Sequence, residues 1–198
     1  MKTKKLFFAF LAILLPALFY AQQEPAFFYG ALDPYEQDIF LNTDLAHQGV
    51  DTVITFCQGS HSADAVYHDH CVCRGTKADR YTIWVQNGAW YIKRFNCCAV
   101  YSAVKVKPQK SWRLLINKLE ALLIEKYRMD GLVVSDFYQL DIRAGNKEMS
   151  SYLDFSMLNR RLNPEHWRYN KNLRITQYIL QMQKDLAKLN RKIEWEVE

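Results

Sequence analysis

The pattern of apolar and polar positions beyond residue 33 predicts separate strands and helices that do not alternate regularly. The segments 50–57 (VDTVITFC) and 99–106 are rich in β-branched and aromatic residues, which favours strands. Between residues 58 and 80 the chain is polar, rich in Cys and His, and irregular in period, so a long loop is expected there.

The strongest local signal lies at 81–95, where YTIWVQ and AWYIKRF flank Asn87-Gly88. This dipeptide tolerates the positive φ angles of a two-residue type I′ turn, so the segment is predicted to form a β-hairpin. The turn sets a register in which Gln86 faces Ala89, Val85 faces Trp90 and Tyr81 faces Arg94. A second hairpin is predicted from the alternating segments 132–142 and 149–155 around Gly145-Asn146.

Three segments have helical features. Asp33, Pro34 and Glu36 predict a helix start and Gly49 a stop, giving a helix over 34–48. Ser111 is expected to cap a helix that runs to about residue 127. From about 170 to 193 one apolar stripe, with a 4-3-4-3-4 spacing, predicts a C-terminal helix packed on the sheet. Its members are Ile175, Ile179, Met182, Leu186, Leu189 and Ile193.

These elements predict an α+β fold. We expect a mostly antiparallel sheet of about six strands, built from hairpins. Two amphipathic helices would cover one face, and a short helix would precede the sheet. The length suits a single domain, 22–198.

Residues 1–21 have the features of a secretory signal peptide. Lys2, Lys4 and Lys5 precede an apolar run over 6–20, which is shorter than the roughly 20 residues that span a bilayer. Ala21 supplies a small residue for cleavage before Gln22. We therefore expect an exported protein, periplasmic or extracellular, with no stable membrane span after cleavage.

Charge is distributed unevenly along the chain, although the net charge is only +5 and falls further without the leader. Acidic residues dominate 22–75, whereas basic residues dominate 156–192. The basic stretch comprises Arg160, Arg161, Arg168, Lys171, Arg174, Lys184, Lys188, Arg191 and Lys192, with Trp167 and Tyr169 between them. A solvated helix face accounts for most of this charge. Contact with an anionic surface is the functional alternative, and export argues against nucleic acid as the partner.

Five cysteines lie between residues 57 and 98, and export would take them to an oxidising compartment. At most two intramolecular bridges can form. The hairpin register favours Cys57 with Cys71 and Cys73 with Cys97, one of many possible arrangements.

The alternative interpretation of the same segment is a metal site that binds zinc or copper. Imidazole and thiolate groups suit these ions. The candidate ligands are Cys57, His61, His68, His70, Cys71 and Cys73. Their spacing fits no zinc-finger pattern, and oxidation competes for the thiolates, so a disulfide-closed loop without a cofactor is the favoured interpretation.

Motifs of familiar hydrolases and nucleotide-binding enzymes are absent from the sequence. Cys57 with His61 as nucleophile and base is not favoured, because catalytic partners usually meet through the fold and not through a short interval in the chain. Asp136, Asp141 and Asp154 are interpreted as strand-surface acids rather than paired catalytic carboxylates. The sequence favours a non-catalytic, disulfide-stapled binding or interaction domain for an unidentified extracytoplasmic partner, with a metal-binding protein as the alternative.

Overall fold

The computed structural model describes residues 34–61, 66–68, 71–73, 76–96, 99–129 and 136–198. The predicted leader, with its cleavage site between Ala21 and Gln22, lies outside these residues. In the described part of the chain, no helix is long and apolar enough to cross a membrane.

The elements follow one another in an α+β order. The helices are α1 (Pro34–His47), α2 (Lys110–Asn117), α3 (Leu119–Leu122), a 3-10 helix (Phe155–Leu158), α4 (Pro164–Asn172) and α5 (Arg174–Asn190). The strands are β1 (Thr52–His61), β2 (Val66–His68), β3 (Cys71–Cys73), β4 (Thr76–Gln86), β5 (Ala89–Phe95), β6 (Val104–Val106), β7 (Asp136–Ala144) and β8 (Lys147–Asp154).

Six strands form an antiparallel sheet in the order β6-β5-β4-β1-β7-β8, and β2 pairs with β3 separately. The predicted α+β class and antiparallel sheet are thus confirmed. Both hairpins are also confirmed, and the first has the predicted register. Asn87 and Gly88 have φ angles of 52° and 72°, as a type I′ turn requires.

The prediction of a long loop over 58–80 is wrong for most of these residues. Strand β1 continues to His61, and β4 begins at Thr76 and pairs with it throughout. Backbone pairing in the interior of a sheet forms these strands in spite of their polar side chains, which carry no period-2 apolar pattern. Conversely, the strand predicted over 99–106 is limited to Val104–Val106.

One face of the sheet packs against α2, α3 and α5, and this is the main core. Its largest fully buried side chains include Trp112 of α2, Phe56 of β1 and Tyr81 of β4. From the predicted stripe, Ile175, Ile179, Met182 and Leu186 are buried here, which confirms that α5 covers the sheet.

The opposite face carries α1 and a smaller apolar cluster. Leu45 of α1 packs there with Val50, Val53 and Trp84. Helix α1 also places Asp38 over the polar side chains of the central strands. This face therefore has an apolar cluster and, next to it, a group of buried polar side chains.

Two predicted helices differ from the structure at their ends. Ser111 is not a cap: it is buried in the first turn of α2, and its hydroxyl donates to Asp185 of α5 at 2.5 Å. The helix predicted to continue to residue 127 ends as α3 at Leu122. The C-terminal helix is interrupted at Leu173, whose extended ψ of 139° separates α4 from α5. Asn163 caps α4 by accepting from the amides of Glu165 and His166.

Candidate functional site

A cleft of about 680 Å³ lies on the helix-covered side of the sheet, near the last residues of β1. Gln58 and Ser60 extend the inward-facing row of Ile54 and Phe56, but both are half-buried where the core residues are fully buried. Neighbouring strands contribute Asp79, Arg94, Asp136 and Tyr138, and the 3-10 helix and α5 contribute Phe155 and Gln183. The apolar layer therefore gives way to a concave polar and aromatic surface.

Arg94 is the best-fixed charge in this cleft. Its Nε and Nη2 atoms both donate to Oδ1 of Asp79, at 3.0 and 2.7 Å. The guanidinium carbon lies 5.1 Å from the ring centroid of Tyr101 and 6.0 Å from that of Tyr81. Partial burial alone would lower the pKa of Arg94, but the hydrogen bonds to Asp79 together with the nearby Tyr81, Asp79 and Tyr101 more than offset it, so the pKa is raised. Arg94 is thus a charged and oriented group with little freedom to move.

The C-terminal segment 193–198 supports this arrangement from one side. The ring of Trp195 contacts Tyr81 and Tyr101, with centroids 6.4 and 6.0 Å away. Asn190 joins the two sides, because it donates to the Tyr81 hydroxyl at 2.6 Å and accepts from the Trp195 indole at 3.2 Å. Backbone bonds from Ser102 to residue 196 and from residue 198 to Val100 hold the segment in place.

Phe155 provides an accessible aromatic surface at the other side of the cleft. Its side chain is 38% exposed, and its ring lies 5.0 Å from that of buried Tyr138. Gln58 and Gln183 add amide groups, which are able both to donate and to accept hydrogen bonds. The cleft therefore combines an apolar ring with polar groups of both hydrogen-bonding types.

A separate buried polar cluster lies under α1 on the opposite face. The carboxylate of Asp38 accepts a hydrogen bond from Thr82 and lies 3.7 Å from Nε of Arg80. The Asp38 and Arg80 side chains are 8% and 4% exposed. Burial raises the pKa of Asp38 and outweighs the opposing effect of Arg80. The cluster ties α1 to the sheet, and we assign it a structural role.

The proposed metal and disulfide residues are only partly within the described structure. Cys57 is a buried free thiol on β1, whereas the side chains of His61, His68, Cys71 and Cys73 lie outside the described residues. His70, Cys97 and Cys98 lie outside them altogether. The described residues contain no group of three or more side chains placed to hold a metal ion. Because Cys57 is a free thiol, the predicted bridge Cys57–Cys71 is not formed in the structure. The bridge Cys73–Cys97 and the metal alternative stay predictions.

Cys57 is poorly suited to act as a nucleophile. Burial raises the pKa of its thiol to about 11, so the thiol is protonated at neutral pH. The reactive species in thiol chemistry is the thiolate, and Cys57 is also only 6% exposed.

The three strand acids do not form a catalytic pair. Asp136 faces the helix-covered side and lines the cleft, whereas Asp141 and Asp154 face the opposite side. Asp141 accepts from Gln139 and Ser150. The interpretation of Asp154 as a surface acid is wrong: it is 1% exposed and caps the 3-10 helix by accepting from the amide of Ser156.

Comparison of the chain with family models, with curated proteins and with solved structures finds no match. The fixed charges and the accessible ring of the cleft define the chemistry that a ligand would meet.

Proposed function

We propose that the protein is an exported, non-catalytic binding domain whose cleft takes a small neutral polar ligand of the saccharide class. The observation that carries this proposal is the pairing of an accessible aromatic ring, Phe155, with polar side chains of both hydrogen-bonding types around one concavity. Pockets that combine apolar walls with a few convergent polar groups are the usual sites for small ligands.

The hydrogen-bonding groups favour a polyhydroxylated ligand. Each sugar hydroxyl donates one hydrogen bond and accepts others, which matches the amides of Gln58 and Gln183 and the carboxylate of Asp79. The C–H face of a sugar ring can pack against Phe155, so both the polar and the apolar parts of the ligand find partners.

The charges of the cleft favour a neutral ligand over an anionic one. Arg94 already donates two hydrogen bonds to Asp79, so its Nε–Nη2 edge is occupied and its charge is largely offset by that carboxylate. Asp136 adds a further negative charge at the same cleft. Among the described residues that line the cleft, an anion would meet two carboxyl groups and one guanidinium.

The residues that line the cleft also support binding rather than catalysis. Catalysis of hydrolysis commonly needs a nucleophile beside a base, or a general acid and base in reach of one bond. Asp79 and Asp136 are the carboxyl groups among the described residues that line the cleft, and Asp79 is already engaged by Arg94, so the two do not offer a pair of unengaged carboxyl groups.

Saccharide binding can be tested by titrating labelled protein with glucose, galactose, mannose and N-acetylglucosamine while recording amide shifts by NMR. We expect saturable shifts around Asp79, Arg94 and Phe155 for at least one sugar. Phe155→Ala should weaken that binding about tenfold, because it removes the ring that packs against the sugar.

Phe40→Ala is the matched control, since Phe40 is 65% exposed on α1 and does not line the cleft. Equal weakening by both variants, or shifts confined to other surfaces, would contradict the assignment of the cleft. The absence of saturable shifts with every sugar would exclude the proposed ligand class.

The export part of the proposal rests on the leader-like residues 1–21. Expressed with these residues in a bacterial host, the protein should be recovered outside the cytoplasm, about 2 kDa lighter and with Gln22 at its N-terminus. Replacing three apolar residues of the run by Asp should hold it in the cytoplasm at full mass. A soluble protein that begins at Met1 would contradict export.

A further inference from the structure

A second surface of the molecule, distant in sequence from the cleft strands, concentrates basic and aromatic side chains. We call it the basic–aromatic face and define it by Arg128, Arg160, Arg168 and Lys171 with Trp167 and Tyr169. The four cations are exposed, and the two rings are half-buried. Helix α4 carries most of this face, and the rest comes from the turn before α4 and the segment after α3.

Three of the four cations of the face lie over aromatic rings. The Lys171 ammonium lies 3.7 Å from the ring centroid of Trp167, and the Arg160 guanidinium lies 5.3 Å from it. Arg128 lies 3.9 Å from the centroid of Tyr169. Such cation–π contacts orient the charges without neutralising them. In the part of the chain that the structure describes, none of the four cations forms a salt bridge.

A buried asparagine joins the two segments of the face. The side chain of Asn170, which is fully buried, donates to the carbonyl of Arg128 at 2.7 Å and accepts from its amide at 2.9 Å. It also donates to the carbonyl of Met157 at 3.1 Å. These bonds fix the position of Arg128 relative to α4, so the face is a preformed surface.

Two exposed apolar side chains lie close to these cations in the chain. Leu162, two residues after Arg160, is 59% exposed, and Met129, which follows Arg128, is 45% exposed. Leaving such side chains in water is unfavourable, whereas the boundary of a bilayer accepts apolar, aromatic and cationic groups together. A soluble polyanion would satisfy the charges alone.

We infer that the basic–aromatic face is a peripheral membrane-binding surface that recognises anionic phospholipid headgroups. This inference is independent of the saccharide proposal, because it uses different residues. Lysine and arginine gain from approaching an anionic bilayer, and the shallow insertion of Leu162 and Met129 adds apolar burial. With few apolar groups available, the binding is reversible and weakens as salt rises.

The inference is tested by co-sedimentation of the full chain with vesicles of phosphatidylcholine alone and of phosphatidylcholine with about 30% phosphatidylglycerol. We expect binding only to the anionic vesicles. The double variant Arg128→Glu with Lys171→Glu should bind the anionic vesicles at least about tenfold more weakly than the wild type. Lys105→Glu with Lys107→Glu, an equal charge change at exposed positions on and next to the far edge strand, should bind like the wild type.

Leu162→Asp provides a second variant at an exposed position, where no loss of fold is expected, and it should also weaken vesicle binding. Circular dichroism confirms that each variant is folded. Equal loss in the Lys105 and Lys107 control, or no binding to anionic vesicles, would overturn the inference. Binding to soluble heparin without binding to vesicles would overturn it too, and would assign the face to a soluble polyanion.

Discussion

Replacing Arg80 by Met is expected to reduce the free energy of unfolding by about 3–5 kcal/mol at neutral pH, because it leaves a buried carboxylate without its counter-charge. Asp38 lies beneath α1, and Arg80 is the cation that partly offsets its desolvation. Arg80 has further contacts that the same substitution removes. Urea unfolding of the variant and the wild type measures the difference.

The pH dependence of this loss identifies its cause. Burial already raises the pKa of Asp38, and removing Arg80 raises it further. A carboxyl whose pKa is higher in the folded state favours folding when protonated and opposes folding when ionised. The stability of the Arg80→Met variant relative to the wild type should therefore recover as the pH falls from about 7 towards 4.

Two further variants serve as controls. Adding Asp38→Asn to Arg80→Met should restore part of the lost stability, because the uncompensated charge is removed. Arg113→Met changes an exposed arginine of α2 and should stay within about 0.5 kcal/mol of the wild type. A loss at Arg80 that is independent of pH and insensitive to Asp38→Asn would show that the ion pair is not its source.

Leu186→Ala is expected to cost about 2–5 kcal/mol, because it removes apolar contacts and leaves a cavity in the main core. Leu186 is 1% exposed and belongs to the same buried stripe of α5 as Met182 and Ile179. Denaturant unfolding measures the loss. Lys184→Ala, two residues away on the exposed side of the helix, should change stability by no more than roughly 0.5 kcal/mol.

A second measurement distinguishes a stripe buried in the core of one chain from a stripe buried between two chains. If the stripe belongs to the core, the melting temperature should stay the same over a hundredfold dilution, and Leu186→Asp should not fold. A folded, monomeric Leu186→Asp variant, together with a wild-type melting temperature that rises with protein concentration, would place the stripe at an interface between two chains.

The elements that could be predicted from sequence are those fixed by local chemistry. The Asn87-Gly88 turn dictates both the hairpin and its register, and the stripe on α5 dictates which side of that helix is buried. Prediction failed where long-range pairing overrides local pattern. The polar end of β1 is a strand because β4 and β7 flank it on both sides, and no feature of residues 58–61 indicates that.

The cleft could be predicted from the sequence even less well than the strands. Arg94 and Asp79 are 15 residues apart, and Asn190 reaches Tyr81 across 109 residues. Side chains that meet only through the fold carry no spacing signal in the sequence. The basic stretch, by contrast, is visible in the composition, but only the structure separates Lys171 and Arg160 over Trp167 from the cations of α5, and adds Arg128 to them.

The central position of β1 affects how the chain folds. Thr52 pairs with Ala144, so β1 and β7 can pair only after two parts of the chain some ninety residues apart have come together. The hairpins β4–β5 and β7–β8 are local and can form first, whereas β1 must join them afterwards at a cost in loop-closure entropy. We expect refolding on a timescale of milliseconds to seconds, limited by the docking of the β7–β8 hairpin onto β1.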